Sequence, residues 1–226
     1  MQSVENLIQE VQAEAQREDF PLDLDVYRAA GKVPTRPVLY AGNLKSEICF
    51  FGRDLGRDEV FAEQPLIGAA GKMVRDGFYE SIYRHKGTDR TQINKICCER
   101  LLLTNTVPYK PPGNKAYSPE VKERFRPFIQ RLLVNHWQGG HIITLGTEAF
   151  KWFAPYAAKG EVLQFFQRDD KYSAKFSLNL SAYDENGARY QRQVNLMPLP
   201  HPSPLNQRYY GIFPQLLRAR LNELEF

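Results

Sequence analysis

The apolar positions of the chain fall into short continuous runs separated by segments with helical spacing. The runs at residues 47–51, 101–105 and 141–145 predict buried strands. Between them, helices are predicted over residues 71–84, from Ser118 to about Trp137, and from Thr147 onward. Three more strands are predicted, over residues 165–170, 175–183 and 189–199, with a hairpin turn at residues 184–187 and a last helix over residues 209–224.

This alternation of strands and helices predicts an α/β fold. We expect a three-layer sandwich around a central, mostly parallel four-stranded sheet, with an inserted β-hairpin near residues 172–199. Residues 4–15 repeat apolar side chains at helical spacing after a capping Ser3, and Phe20-Pro21 ends that helix. We interpret residues 1–36 as an N-terminal helical extension packed on an α/β domain that comprises residues 37–226.

The composition excludes several classes of protein. With 14 Phe, 12 Tyr and 2 Trp, the chain has too many aromatic residues for a disordered protein. No run approaches the 18 or so apolar residues of a membrane span, and acidic residues stand where a signal peptide would need an apolar run. Three cysteines cannot form a disulfide framework, so we expect a reducing compartment, the cytoplasm.

The net charge of +4 hides an asymmetry. Residues 1–30 contain seven acidic and two basic residues, so the rest of the chain carries a net charge of +9. A basic body suits a polyanionic partner such as nucleic acid. By itself, however, the charge favours the simpler interpretation, a solvated basic surface.

Polar side chains follow four of the predicted elements. They lie at residues 52–59, 104–106, 146–147 and 201–205. Sheets of this class bind ligands at the carboxyl ends of their strands, which would bring Asp54, Asn105 and His201 into one pocket. A carboxylate can orient water, an amide can read a donor–acceptor edge, and an imidazole can hydrogen-bond to charge on a leaving group. Each residue alone also has a structural interpretation, as a turn cap, a backbone partner or a satisfied histidine.

Four motifs, taken in order, resemble those of the uracil-DNA glycosylase superfamily. They are Gly52-Arg53-Asp54-Leu55-Gly56; Glu63-Gln64-Pro65-Leu66-Ile67-Gly68-Ala69-Ala70-Gly71-Lys72; Leu103-Thr104-Asn105-Thr106-Val107 followed by Lys110-Pro111-Pro112-Gly113-Asn114; and His201-Pro202-Ser203-Pro204-Leu205. The second and third are similar to the PFVGRAG and TNVVKCRPPGNR segments of an iron–sulfur branch, and the last matches the motif HPSPL. Each motif is weak alone, but four in this order are a specific signal.

The resemblance implies two catalytic residues and a set of binding residues. Asp54 would position or activate the attacking water, and His201 would donate a hydrogen bond to uracil O2 as charge builds on the departing base. Asn105 would read uracil N3 and O4. The remaining implied contacts are to the base pocket (Gly52, Arg53 and Leu66), to the DNA backbone (Pro111, Pro112 and Ser203), and to the gap left by a flipped nucleotide (Leu205).

The chain also departs from these motifs. Leu55 replaces a proline, and Leu66 replaces the aromatic residue that stacks on uracil. Two alternatives follow: Phe61 or Phe78 supplies a ring instead, or the pocket takes another base. The iron–sulfur branch has four cysteine ligands, whereas this chain has three cysteines, two of them adjacent. We therefore expect no cluster, no metal and no other cofactor. The basic residues expected to flank the pocket are Arg53, Arg57, Lys72, Lys110 and Lys115.

These observations predict a monofunctional DNA glycosylase that hydrolyses the N-glycosidic bond of uracil or a related deaminated base in base excision repair. We expect it to act as a monomer, by base flipping, on double- or single-stranded DNA at the bacterial nucleoid. One alternative is a DNA-binding member of the superfamily with little catalysis. Another is an α/β hydrolase of free nucleosides, which would leave the wedge residue Leu205 and the basic body unexplained.

Overall fold

The computed structural model describes residues 3–113 and 115–224, so Asn114 of the third motif lies outside the described residues. Within them, six strands form one mixed sheet in the order β1-β3-β2-β4-β6-β5. The strands are β1 (Tyr40–Gly42), β2 (Ile48–Gly52), β3 (Leu101–Asn105), β4 (His141–Leu145), β5 (Phe176–Tyr183) and β6 (Arg189–Leu199). The middle strands β3, β2, β4 and β6 run parallel, and β1 and β5 are antiparallel edge strands.

This sheet corrects the predicted topology in two ways. It has six strands where four were expected, because the three-residue strand β1 is too short to show a pattern and because the hairpin belongs to the same sheet. Strand β6 pairs in parallel with β4, from His141 opposite Asn195 to Leu145 opposite Leu199. The β5–β6 hairpin is therefore continuous with the central sheet and is not a separate insertion.

Helices pack on both faces of the sheet. They are α1 (Val4–Arg17), α2 (Leu24–Ala30), α3 (Arg57–Ala62), α4 (Ala69–Tyr83), α5 (Arg90–Arg100), α6 (Pro119–Arg131), α7 (Thr147–Lys151), α8 (Glu161–Gln167), α9 (Gln207–Tyr210) and α10 (Phe213–Asn222). A π-helical turn at Leu132–His136 follows α6, and a 3-10 turn at Ala154–Tyr156 follows α7. None of the described helices is long and apolar enough to cross a membrane.

Alternating residues of the central strands face two separate cores. In β2, Cys49 and Phe51 join the cluster that includes α1 and α6, whereas Ile48 and Phe50 join the cluster that includes α4 and α10. All five residues of β2 are buried. Burial on both faces explains why these strands appear in the sequence as continuous apolar runs.

Several helices differ from the predictions. Residues 165–170 were expected to form a strand, but the first three of them belong to α8, in which Val162 and Phe165 are buried three residues apart on one helical face. Helices α3 and α5 both lie where no helix or strand was predicted. The last helix is divided into α9 and α10 around Gly211.

The N-terminal helix packs against α6 through both apolar and charged side chains. Ser3 Oγ accepts a hydrogen bond from the Asn6 N–H, so Ser3 caps α1 as predicted. Leu7, Val11 and Ala15 are buried. Ion pairs join Glu14 to Arg124, with Oε1 2.7 Å from Nε, and Glu10 to Arg131. Part of the charge asymmetry is thus neutralised inside the protein, between this helix and the basic body.

Candidate active site

A cavity of about 650 Å³ opens at the carboxyl ends of the parallel strands. Nine of the ten predicted site residues line it: Gly52, Arg53, Asp54, Leu66, Asn105, Pro111, His201, Ser203 and Leu205. The tenth, Pro112, is exposed beside Pro111. The side chains come together because β2, β3 and β6 end at the same edge of the sheet, immediately before the motifs that carry them.

The Asp54 carboxylate is almost completely buried, with 2% of the side chain exposed. Arg53 Nε lies 3.0 Å from Oδ2, and Thr106 Oγ1 donates a hydrogen bond of 3.4 Å to Oδ1. Burial raises the pKa of Asp54 above its ordinary value of 3.8, while the charges of Arg53 and Lys122 and a hydrogen bond from the Tyr117 N–H oppose that rise. A desolvated carboxylate with a raised pKa is suited to accept a proton.

Asn105 is the last residue of β3 and lies opposite Gly52 of β2. Only 2% of it is exposed, and its Oδ1 has no hydrogen-bond partner among the described residues. A Cβ atom on Gly52 would lie 3.3 Å from Asn105 Nδ2 and 3.2 Å from Leu66 Cδ2. Glycine at position 52 therefore leaves room for the amide, and the free acceptor of that amide calls for an N–H donor.

Leu66 contributes an apolar wall and has an unusual backbone conformation, with φ at +53°. The loop that carries it is held by two charged side chains that the sequence analysis did not identify. The buried Arg75 donates from Nε to the Leu66 carbonyl at 2.8 Å. Glu59 Oε1 accepts hydrogen bonds from the N–H groups of Ile67 and Gly68, at 3.3 and 3.0 Å. Their partners are backbone atoms of another segment, so no local sequence pattern could reveal them.

Neither of the phenylalanines considered as replacement rings lines the cavity. Phe78 is a residue of α4 and is fully buried in the core. Phe61 is 44% exposed and lies under the guanidinium of Arg57, whose Cζ is 5.4 Å from the ring centroid. Of the two alternatives, a replacement ring from Phe61 or Phe78 is therefore not found, because both side chains lie outside the cavity lining.

His201 follows β6 and approaches Gly146, the residue after β4, closely. A Cβ atom on Gly146 would lie 3.0 Å from His201 Cβ, and the φ of Gly146 is +90°, a conformation that favours glycine. Desolvation, and then the charge of Arg53, lower the pKa of His201 below 6.5. The imidazole is therefore neutral near pH 7, so that it can donate from one nitrogen without carrying a charge.

The segment after His201 forms a tight turn that projects Leu205. The Asn206 side chain donates to the His201 carbonyl at 3.1 Å, and the Leu205 N–H donates to Ser203 Oγ at 3.3 Å. These hydrogen bonds fix the backbone of the turn. Leu205 itself is 91% exposed and lies at the rim of the cavity. An apolar side chain so fully exposed at a cavity rim is placed to contact another molecule.

Lys110 does not flank the pocket as a free cation, contrary to the expectation. It is 3% exposed, and its ammonium pairs with Asp23 at 3.0 Å. The spacing of basic residues along the sequence could not distinguish a buried lysine from an exposed one.

A family model described as the uracil DNA glycosylase superfamily matches residues 39–225, which is most of the chain. The protein belongs to this superfamily. It is also 31% identical over 102 residues to a protein from Archaeoglobus fulgidus named Type-4 uracil-DNA glycosylase. That alignment covers 45% of each protein, so the match spans about half the length of this relative.

The residues of this superfamily member do not fit the iron–sulfur cluster of the branch that its motifs resemble. Tyr109 stands where the TNVVKCRPPGNR segment has its cysteine, and its hydroxyl donates to the Thr35 carbonyl at 2.9 Å. Burial raises the pKa of the Cys49 thiol and raises that of Cys97 to about 12. Iron–sulfur clusters are held by thiolates, which these environments disfavour.

Proposed function

We propose that the protein is a monofunctional DNA glycosylase that removes uracil or a related deaminated base from DNA by hydrolysis, acting as a monomer in base excision repair. The observation that carries this proposal is the meeting of Asp54, Asn105 and His201 in one cavity, with an exposed Leu205 at its rim. Membership of the superfamily and the similarity to the archaeal relative support the same reaction class.

In this mechanism Asp54 acts on the attacking water. The water oxygen forms a bond to C1′ of the deoxyribose and gives a proton to the Asp54 carboxylate. The N-glycosidic bond breaks, and its electron pair leaves with the base, which later takes a proton from solvent. The carboxylate also stabilises positive charge on the sugar, an effect that burial strengthens.

His201 and Asn105 act on the base. The neutral His201 donates a hydrogen bond to uracil O2, where negative charge builds as the bond breaks. Asn105 offers its unpartnered Oδ1 to N3–H and its amide N–H to O4. Cytosine has the opposite donor–acceptor pattern at this edge, so it would leave buried polar groups unsatisfied at about 1–3 kcal/mol each. Gly52, Arg53 and Leu66 enclose the base.

The rim of the cavity holds the DNA. Pro111, Pro112 and Ser203 contact the phosphate backbone on either side of the flipped nucleotide, and Leu205 enters the gap in the base stack. Unstacking and extruding a base costs a few kcal/mol, which an inserted apolar side chain helps to offset.

The test is base release from matched oligonucleotides that carry uracil opposite guanine, uracil opposite adenine, or uracil in a single strand, followed by alkaline cleavage of abasic sites. Hypoxanthine and thymine opposite guanine extend the series. We expect uracil release that Asp54→Asn and His201→Ala abolish. The exposed Asp169 and His85 provide the matched controls Asp169→Asn and His85→Ala, which should retain activity.

The other outcomes separate the alternatives. DNA binding without release of any base, unaffected by Asp54→Asn, would contradict the proposal and favour a binding protein. Release from free deoxyuridine but not from oligonucleotides would favour a nucleoside hydrolase. Release of a different base alone would keep the mechanism and change the specificity assigned to the pocket wall at Leu66.

A further inference from the structure

The loop that carries Pro111 and Gly113 is attached to the N-terminal segment through Lys110. The Lys110 side chain is 4% exposed, and its ammonium lies 3.0 Å from Asp23 Oδ2. The ammonium also donates to the carbonyl oxygens of Pro111, at 2.7 Å, and of Gly113. The buried Lys110 ammonium thus binds both the Asp23 carboxylate and the backbone of the loop. Because the ammonium is buried, it depends on the carboxylate for charge compensation.

Asp23 contacts the same loop through other atoms as well. Its Oδ2 accepts a hydrogen bond from the Gly113 N–H at 3.2 Å, and its own N–H donates to the Lys110 carbonyl at 3.1 Å. The buried Tyr27 adds a contact from α2, because its hydroxyl accepts from the Lys110 N–H at 3.0 Å. The loop is therefore fixed on both sides of Lys110 by residues that precede the region matched by the family model.

A second contact joins the N-terminal segment to the residue that precedes the Leu66 loop, which also lines the cavity. Lys32 Nζ lies 2.5 Å from Glu63 Oε2, and Arg36 Nε lies 3.8 Å from Glu63 Oε1. Glu63 ends α3 with φ at +51° and precedes the loop of Pro65 and Leu66. The segment from Asp23 to Arg36 thus holds two loops that line the cavity.

We propose that Asp23 is a positioning residue for DNA binding, which through Lys110 holds residues 111–113 in the shape that meets the phosphate backbone. The inference rests on the proposed function, since the partner of this loop is a DNA strand. Asp23 itself does not line the cavity. Its loss should therefore weaken DNA binding and leave bond cleavage in the bound complex nearly unchanged.

The test compares Asp23→Asn with Asp25→Asn. Asp25 lies two residues away, is exposed, and pairs with the equally exposed Arg28 at 2.9 Å, so it is a matched control. Two quantities are measured: the dissociation constant for a duplex with a tetrahydrofuran abasic analogue, and the single-turnover rate of uracil release at saturating enzyme. For Asp23→Asn we expect the dissociation constant to rise about tenfold, or 1.4 kcal/mol, with the rate within about threefold of wild type. Asp25→Asn should change neither quantity.

The double variant Asp23→Asn/Lys110→Gln removes the buried ammonium together with its partner, so it serves if the single variant does not fold. It should show the same loss of affinity, because the contacts to the Pro111 and Gly113 carbonyls are weakened. Wild-type affinity in the folded double variant, or a lower saturated rate with normal affinity, would overturn the inference. If the wild type releases uracil and Asp23→Asn behaves as Asp25→Asn, only this inference is wrong. A wild type that neither binds DNA nor releases a base overturns the proposed function as well.

Discussion

The guanidinium of Arg53 lies against the buried carboxylate of Asp54, with Nε 3.0 Å from Oδ2. Its charge lowers the pKa of Asp54, against the larger effect of burial, and also lowers the pKa of His201. The same cation thus favours a carboxylate at position 54 and a neutral imidazole at position 201. These are the protonation states that the proposed mechanism uses.

Replacing Arg53 should therefore move the pH dependence of the reaction. Without the positive charge, the pKa values of Asp54 and His201 both rise, so both groups take up a proton at higher pH. We expect the acid limb of kcat/KM in Arg53→Gln to shift to higher pH, because kcat/KM reports the ionisations of the free enzyme. Arg57→Gln removes another cation near the cavity, and its acid limb should stay in place. An unshifted limb in Arg53→Gln would mean that neither residue limits the rate at low pH.

Leu205→Ala tests the exposed side chain at the rim. Because Leu205 is exposed to 91%, its truncation should change the free energy of unfolding by no more than about 0.5 kcal/mol. Activity on uracil in a duplex should fall about ten- to hundredfold, since an inserted side chain offsets a few kcal/mol of unstacking. Single-stranded uracil needs no such help, so its release should be nearly unchanged. Equal losses on both substrates would argue against a wedge. Leu163, which is 50% exposed on α8, provides the control Leu163→Ala.

Gly52→Ala tests the close packing behind the base-reading amide. The added methyl group would lie 3.2 Å from Leu66 Cδ2 and 3.3 Å from Asn105 Nδ2, so one of these side chains must shift. Overpacking of this kind costs about 1–3 kcal/mol of stability. A displaced amide should also lower kcat/KM about tenfold or more, because catalysis depends on sub-ångström placement. Gly140→Ala, where a Cβ meets open space, is the matched control. Full activity in Gly52→Ala would show that the Asn105 position is not critical.

Much of the site could be predicted because its residues belong to strand ends. Strands β3 and β4 have the predicted bounds, and β2 differs by one residue, because strands buried on both faces stand out as apolar runs. Once these strands are parallel neighbours, the residues that follow them must converge. That rule brings Asp54 and Asn105 together, and His201 joins them because β6 is the fourth parallel strand of the sheet, although it was predicted in an inserted hairpin.

The residues that hold the site loops in place could not be predicted, because their side chains bind backbone atoms of other segments of the chain. Arg75 is a helix residue whose guanidinium binds the carbonyls of Leu66 and Pro65, and nothing in its neighbours along the chain distinguishes it from a surface arginine. The burial of Lys110 could not be predicted either, because its neighbours along the chain do not distinguish it from a surface lysine. The partner of Lys110, Asp23, lies 87 residues away along the chain. Both this pairing and the burial of the lysine are visible only in the folded chain.

The Asp23–Lys110 ion pair should make stability depend on pH in a defined direction. Partial burial alone would raise the pKa of Asp23, but Lys110 and hydrogen bonds from the Val26 and Gly113 N–H groups hold it below 3.8. A carboxyl whose pKa is lowered by folding contributes stability at pH values above its unfolded pKa, and that contribution is lost as the pH falls through the folded pKa.

We expect Asp23→Asn to lower the free energy of unfolding by about 3 kcal/mol near pH 7, because it leaves a buried ammonium without its partner. The deficit should shrink as the pH falls below about 4, because Asp23 of the unfolded wild-type chain then takes up a proton before the folded one does. Urea unfolding of the wild type and of Asp23→Asn, from pH 7 to below pH 4, measures this deficit in the free energy of unfolding, with Asp25→Asn as the control. A deficit that is independent of pH would mean that the Asp23 charge does not stabilise the fold.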